Sequence, residues 1–318
     1  MTRKRTRRGF ALMSALWLLV ALSTLALEVS VIARHRRLVV ANTLESVRAE
    51  RAAASGVEHE RARLALLAQS YQRSSRGDAA ALLDPWRQAD STTRDTVTMA
   101  DGASYAVVSA DIGTMVNINV VDETGLTRFL IASSIDPITA DVLSQAIMDW
   151  RDADDFRRLR GAERDDYVKS GARELPSNGP FESIDELRFV RGVTGSILDK
   201  IAPRLTVFGA GEINVNKATE AVLLSIPGMD PLAAAVITSM RRRGQRIETL
   251  RQLLDLLPLS ARTSFEQNPV GIARLAFDTN EIEVRSIGWV KGSPVRVIET
   301  AIVARVGTSP VVTWRRTE

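Results

Sequence analysis

Seven carboxylates fall within eighteen residues in the stretch DWRDADDFRRLRGAERDDY: Asp149, Asp152, Asp154, Asp155, Glu163, Asp165 and Asp166. Oxygen ligands at that density suit calcium, a hard cation that accepts carboxylates and carbonyls in flexible geometry. The spacing is not that of an EF-hand, because neither the glycine nor the terminal glutamate falls at the loop positions that motif requires. Arg151, Arg157, Arg158, Arg160 and Arg164 are interleaved with the acids and support a second reading, in which the carboxylates pair with guanidinium groups on a solvated surface. On the residues alone both readings stand.

Other chemistry finds little material. The chain has no cysteine and two histidines, His35 and His59, both on the expected N-terminal helix. Disulfides, thiol chemistry, zinc sites of the usual ligand types and triads built on histidine or cysteine are therefore absent from the globular part. A carboxylate acid/base pair in the acidic stretch is disfavoured, since the neighbouring arginines hold its members ionised. No enzymatic activity and no catalytic residue are expected. Trp150 reads as a core or boundary anchor rather than a ligand platform.

A second motif, Ile226-Pro227-Gly228-Met229-Asp230 with an apolar helix on each side, resembles a helix-hairpin-helix. In DNA-binding versions the hairpin amides approach a phosphate. Asp230 stands where a second glycine is expected, and its carboxylate repels phosphate. Arg241, Arg242, Arg243 and Arg246 argue the other way, although a charge run at a helix end is commonly a solvated face or a favourable dipole contact. A membrane-anchored helix-hairpin-helix DNA-binding protein is the alternative function, and no nucleic-acid partner is expected.

The elements that must position these residues follow from periodicity. Val120 to Arg274 has helical spacing and an internal repeat: Ile118-Asn119-Val120 matches Ile213-Asn214-Val215, Asp136-Pro137 matches Asp230-Pro231, and the helices from Ser183 and Arg246 follow each copy. Asn117, Asn119, Asn214 and Asn216 read as turn and capping residues. Thr96 to Met99 and Ser104 to Ser109 flank Asp101-Gly102 as a hairpin, and two or three more strands are expected between Ile282 and Val306. Strands on both sides of a duplicated helical unit predict an α+β fold in which that unit is inserted into a sheet.

At its start the chain carries MTRKRTRR, then Gly9, then an apolar run from Phe10. Residues 10–33 are long enough for the ~20 residues that cross a bilayer. Val40, Leu44, Val47, Ala54, Val57, Leu64 and Tyr71 continue the pattern as an amphipathic helix, to about Ser70, so that the whole rod is about 90 Å long. The linker Ser74 to Asp78 ends it. The net charge is +4, from 42 basic and 38 acidic residues. Setting aside Arg3, Lys4, Arg5, Arg7 and Arg8 leaves 37 basic against 38 acidic side chains, which fits a positive-inside membrane signal better than a nucleic-acid surface.

RRG followed by FALMSALWLLVAL resembles the type IV prepilin class, in which cleavage falls between a glycine and an apolar residue and the new N-terminal amine is methylated. The class has glutamate as the fifth residue after the cut; here that position is Ser14. Together with the DWRDADD and GAERDDY stretches and the duplicated insert, the chain resembles the general secretion pathway protein K family of minor pseudopilins. The resemblance implies cleavage between Gly9 and Phe10 by a prepilin peptidase, N-methylation of Phe10, and a single-pass location in the bacterial inner membrane with the head in the periplasm. It implies other minor pseudopilins, the major pseudopilin and secreted exoproteins as partners, a role in capping or starting the pseudopilus, and calcium held by Asp152, Asp154, Asp155, Glu163, Asp165 and Asp166. The expected organisation is a leader (1–9), a transmembrane segment (10–33), its amphipathic continuation (34–72), a pilin-like antiparallel head (73–120 and 275–318) and a helical insertion of SAM-like units (121–274).

Overall fold

The structure, a computed structural model, describes residues 7–74, 86, 95–307 and 309–318. Helix α1 (Arg7–Ser74) runs 68 residues without a break, because no proline or glycine pair interrupts it. Its apolar start has a mean hydropathy of 2.1 with none of that window buried, and among the described residues it is the one helix long and apolar enough to cross a membrane. Most of the leader and the linker that follows Ser74 lie outside the described residues.

Beyond residue 47 the helix lies on a sheet. Strands β1 (Asp95–Thr98) and β2 (Ala103–Asp111) form the expected hairpin, with Gly102 at φ +81° in the turn, a conformation that favours glycine. After a long excursion the chain returns as β7 (Glu281–Val290), β8 (Arg296–Val306) and β9 (Ser309–Thr317), giving the antiparallel order β1-β2-β7-β8-β9. β7 pairs directly with β2, Ala103 opposite Val290 and Asp111 opposite Ile282. The excursion therefore leaves and re-enters the sheet through neighbouring strands, as the insertion reading requires.

Alternation on β7 sets the packing. Ile282, Val284, Ser286, Gly288 and Val290 turn inward, and Val57 and Leu64 of α1 close one apolar cluster with Ile282, Val284, Ala301 and Val303. Ala52, Ala103, Tyr105 and Val290 form a second. A Cβ on Gly288 would meet the Ala49 carbonyl oxygen at 2.0 Å, so the helix and sheet backbones touch there. Val40, Leu44 and Val47 of the predicted amphipathic stripe stay exposed, because the sheet begins only opposite Arg48, whose side chain bonds the Asp101 carbonyl. The Tyr71 side chain lies outside the described residues.

The excursion is helical: β3 (Val116–Asn117), α2 (Glu123–Ala132), α3 (Pro137–Arg151), α4 (Arg164–Ser170), α5 (Gly195–Ile201), β4 (Leu205–Thr206), β5 (Ile213–Asn214), α6 (Glu220–Leu223), α7 (Pro231–Arg242), α8 (Leu250–Leu256), α9 (Leu259–Glu266), α10 (Pro269–Ala273) and β6 (Leu275–Ala276). One apolar core runs through it, including Phe129, Leu143, Ile147, Trp150, Leu187 and Phe265.

The duplication is real, in a register two residues from the one the sequence predicts. β3 pairs in parallel with β4 as β5 pairs with β6, which aligns Val116-Asn117 with Ile213-Asn214 and Asn119 with Asn216. Asn119 accepts the Phe181 amide and donates to the Phe181 carbonyl; Asn216 accepts the Ile247 amide and donates to the carbonyls of Ile247 and Phe277. Arg151 donates to the carbonyls of Ile118 and Val121, and Arg241 to those of Val215 and Ala218. Matching identical letters hid this register, since the shifted alignment of Ile118-Asn119-Val120 with Ile213-Asn214-Val215 has three identities where the structural one has two, Asn117 with Asn214 and Asn119 with Asn216. Asp136 and Asp230 cap α3 and α7 as their Asp-Pro pairs imply. The segment from Ser183 is a 3-10 helix, Ile184–Phe189, where its counterpart α8 is an α-helix.

Candidate functional site

Helix α3 ends at Arg151, and residues 152–163 form a loop laid back over its last turns before α4 begins. Asp149, fully buried on the last turn of α3, is the post on which the loop rests. Its carboxylate accepts the Arg158 amide at 3.2 Å and the Arg158 guanidinium at 2.6 Å. Burial pushes the Asp149 carboxyl up while those bonds pull it down, with a net rise. Gln145 Oε1 accepts the Arg160 amide at 2.8 Å, and Asn178 donates to Asp155 at 2.8 Å, fastening the loop from two more sides.

Within this frame, carboxylate oxygens of Asp152, Asp154 and Glu163 lie within 4.8 Å of one another. Both oxygens of Glu163 and Oδ1 of Asp152 are buried without a hydrogen-bond partner. Glu163 is 4% exposed, and burial, with Asp149, Asp152, Asp155 and Asp154 around it, raises its pKa to about 7. Converging carboxylates of which three oxygens, two on Glu163 and one on Asp152, are buried without a donor, beside the exposed Asp154, are suited to a hard divalent cation. Asp155, Asp165 and Asp166 of the predicted set are not in the convergent group: Asp155 is bonded to Asn178, Asp165 is exposed on α4, and Asp166 accepts the Glu163 amide and pairs with Arg157.

The arginine reading and the cation reading are thus divided by residue. Arg158 pairs with Asp149 and Asp152, Arg157 with Asp166, and Arg160 with Asp141. Arg151 is turned inward to backbone carbonyls, and burial lowers its pKa to about 10. The arginines leave over Asp154, Glu163 and one oxygen of Asp152, together with Asp155, which Asn178 engages, and the exposed Asp165. Sequence could not single out Glu163, because its burial is set by how the loop folds and not by its place in the chain. Trp150 is an anchor as expected, 2% exposed, stacked on Phe181 at 6.4 Å and meeting Tyr167 edge-on at 5.3 Å.

The hairpin after α6 is packed against α9 and α10. Gly228 has φ +80°, Asp230 accepts the Ala233 amide at 2.7 Å, and a Cβ on Gly271 would meet the Pro227 carbonyl oxygen at 1.9 Å, so α10 covers the turn. Ser264 of α9 donates to the Gly228 carbonyl. Of the basic run, Arg241 is bonded to carbonyls and Arg246 to Asp278. His59 is bonded to the Tyr105 hydroxyl at 2.8 Å, between α1 and the sheet.

Residues 114–210 match the family model of type II secretion system protein K. Among curated proteins, type II secretion system protein K of Klebsiella pneumoniae is 25% identical over 170 residues, 49% of this chain and 49% of its own length. That of Pectobacterium carotovorum is 26% identical over 175 residues, 50% of this chain and 53% of its own. The match therefore spans about half the length of these relatives. Among solved structures, a chain of the GspK-GspI-GspJ complex from enterotoxigenic Escherichia coli has the same fold, with a TM-score of 0.61, 18% identity, and coverage of 90% of this chain and 99% of that one.

Proposed function

Since this chain resembles type II secretion system protein K, in sequence over residues 114–210 and in fold over most of its length, we propose that it is a minor pseudopilin of that system. The observation that carries the reading is the insertion of a duplicated helical body between β2 and β7 of a sheet packed on a 68-residue helix with an apolar start. In this reading the prepilin peptidase cuts after Gly9 and Phe10 is methylated. Residues 10–33 cross the inner membrane once, and the head stands in the periplasm.

The solved neighbour was crystallised with GspI and GspJ, which supports other minor pseudopilins as partners here. The widened head and the absence of an acid at position 14 suit a subunit at the filament tip, where it starts or caps the pseudopilus beside the major pseudopilin and meets secreted exoproteins. An assembly role also accounts for a chain with no catalytic constellation among its described residues. Asp152, Asp154 and Glu163 would hold calcium. The ion would supply the positive charge that three converging carboxylates need to stay ionised together, while Arg158 and Gln145 hold the loop in register around it.

The test is the intact mass and N-terminal sequence of the protein isolated from native membranes. A chain beginning at N-methylated Phe10 is expected. A retained leader would make the protein a simple membrane-anchored one and remove the pseudopilin reading.

A further inference from the structure

Phe156 and Leu159 are 84% and 89% exposed, more than any other large apolar side chain among the described residues. Both lie in the loop that supplies Asp152, Asp154 and Glu163. Their exposure is built in. The Phe156 amide is bonded to Asp154, the Arg158 amide to Asp149 and the Arg160 amide to Gln145, so the backbone is tied down beside each protruding side chain. Covering either one removes apolar surface from water, so a partner surface that accepts the pair gains what the isolated protein forgoes.

The surroundings indicate the chemistry of that surface. The segment reads Phe-Arg-Arg-Leu-Arg from residue 156, and the Arg157 and Arg160 side chains stay 53% and 46% exposed while paired at the surface with Asp166 and Asp141, with Arg164 exposed close by. Arginine alternating with aromatic and leucine side chains matches a bilayer interface: apolar tips reach the acyl boundary while guanidinium groups meet phosphates. A fluid interface also accepts protruding side chains without a complementary cavity. The nearby carboxylates oppose an anionic surface until a cation neutralises them.

Orientation adds a constraint. Gly288 meets α1 at Ala49, whereas Ile282 clusters with Leu64, so the Asp111 and Glu281 ends of the sheet, from which the helical body departs, lie on the side away from residues 10–33. At ~1.5 Å per residue that end is about 45 Å along α1 from residue 33. The helical body that carries the loop therefore departs from the end of the sheet away from residues 10–33.

We propose that residues 152–163 form a calcium-dependent docking tip for an anionic lipid surface other than the membrane holding α1, with Phe156 and Leu159 inserted at the headgroup boundary and Arg157, Arg160 and Arg164 on lipid phosphates. The proposal rests on the calcium reading given above. It is tested with the full chain held by α1 in nanodiscs of neutral phosphatidylcholine and offered separate phosphatidylglycerol-containing vesicles in calcium or in EGTA. Vesicle capture by co-flotation is expected in calcium only. Phe156→Ser with Leu159→Ser should reduce it by about tenfold or more, the equivalent of losing two side-chain insertions. Because both side chains are exposed and neither is a ligand, that variant should keep the calcium-induced rise in Tm. If calcium raises Tm but vesicles are not captured, or the double variant captures them as well as the parent, the lipid proposal is overturned and the calcium site stands. If instead the double variant loses assembly with other pseudopilins while vesicles are never bound, the tip is a protein contact and the proposal is likewise overturned. Absence of any calcium effect on Tm overturns the calcium reading and this one with it.

Discussion

Gly161 lies against the buried carboxylate of Asp149: a Cβ at position 161 would stand 1.8 Å from Oδ2. The loop can fold back over α3 only because that Cβ is missing. Gly161→Ala should displace the segment between Arg158 and Glu163, lower stability by about 1–3 kcal/mol as overpacking does, and weaken the proposed calcium binding by about tenfold or more. Thermal unfolding and calcorimetric titration of the variant check both. Unchanged calcium affinity would show that Asp149 does not organise the site.

Glu163 sets a pH dependence. Its folded pKa, raised to about 7 from an ordinary value near 4.5, means that the metal-free folded state holds a proton the unfolded chain has released. Stability without metal should therefore fall as pH rises from about 4.5 to about 7, by an amount on the order of 3 kcal/mol from this group, and stay reduced above. At the proposed site calcium would replace the proton, so its affinity should increase over the same interval. Glu163→Gln is expected to raise Tm in EDTA at pH 8 and to abolish the calcium-induced rise. A metal-free Tm that is flat from pH 5 to pH 8 would contradict this assignment.

Where α1 meets β7, Gly288→Ala would drive a methyl into the Ala49 carbonyl and to within 2.5 Å of the Ala53 amide nitrogen. Backbone cannot move aside as a side-chain tip can, so a loss of about 1–3 kcal/mol is expected, measured as a drop in Tm. Affinity for calcium at the proposed site should be unaffected, since those residues lie in the helical body. A variant as stable as the parent would mean that the helix does not sit this close to the sheet.

Ser14 bears on position in the filament. In the proposed assembly, Ser14→Glu restores an acid that can pair with the N-terminal amine of a neighbouring subunit, where an unpaired ammonium in an apolar bundle is costly. The variant is expected to enter pseudopili below the tip, raising its ratio to the major pseudopilin in purified filaments. An unchanged ratio would assign tip placement to the helical body alone.

Much of the architecture was legible because it depends on local patterns. The unbroken apolar start of α1, the Asp101-Gly102 turn, the alternation on β7 and the Asp-Pro caps each follow from a few neighbouring residues. The register of the duplication was not, because the shifted alignment offers more identical letters than the structural one; only parallel pairing of Val116 with Leu205 and of Ile213 with Leu275 selects the register.

The candidate site divides in the same way. Sequence by itself determined that acids and arginines crowd residues 149–166, that no thiol or globular histidine accompanies them, and that an apolar helix precedes the globular head. Only the tertiary structure decided which carboxylates converge, because that depends on burial and on how the arginines are paired. Arg158 pairs with Asp149 and Asp152, Asn178 engages Asp155, Asp166 meets the amide of Glu163, and the fold of the loop encloses Glu163 with no donor of its own. Linear spacing fixes which charges are near one another along the chain, whereas desolvation and pairing are properties of the packed molecule.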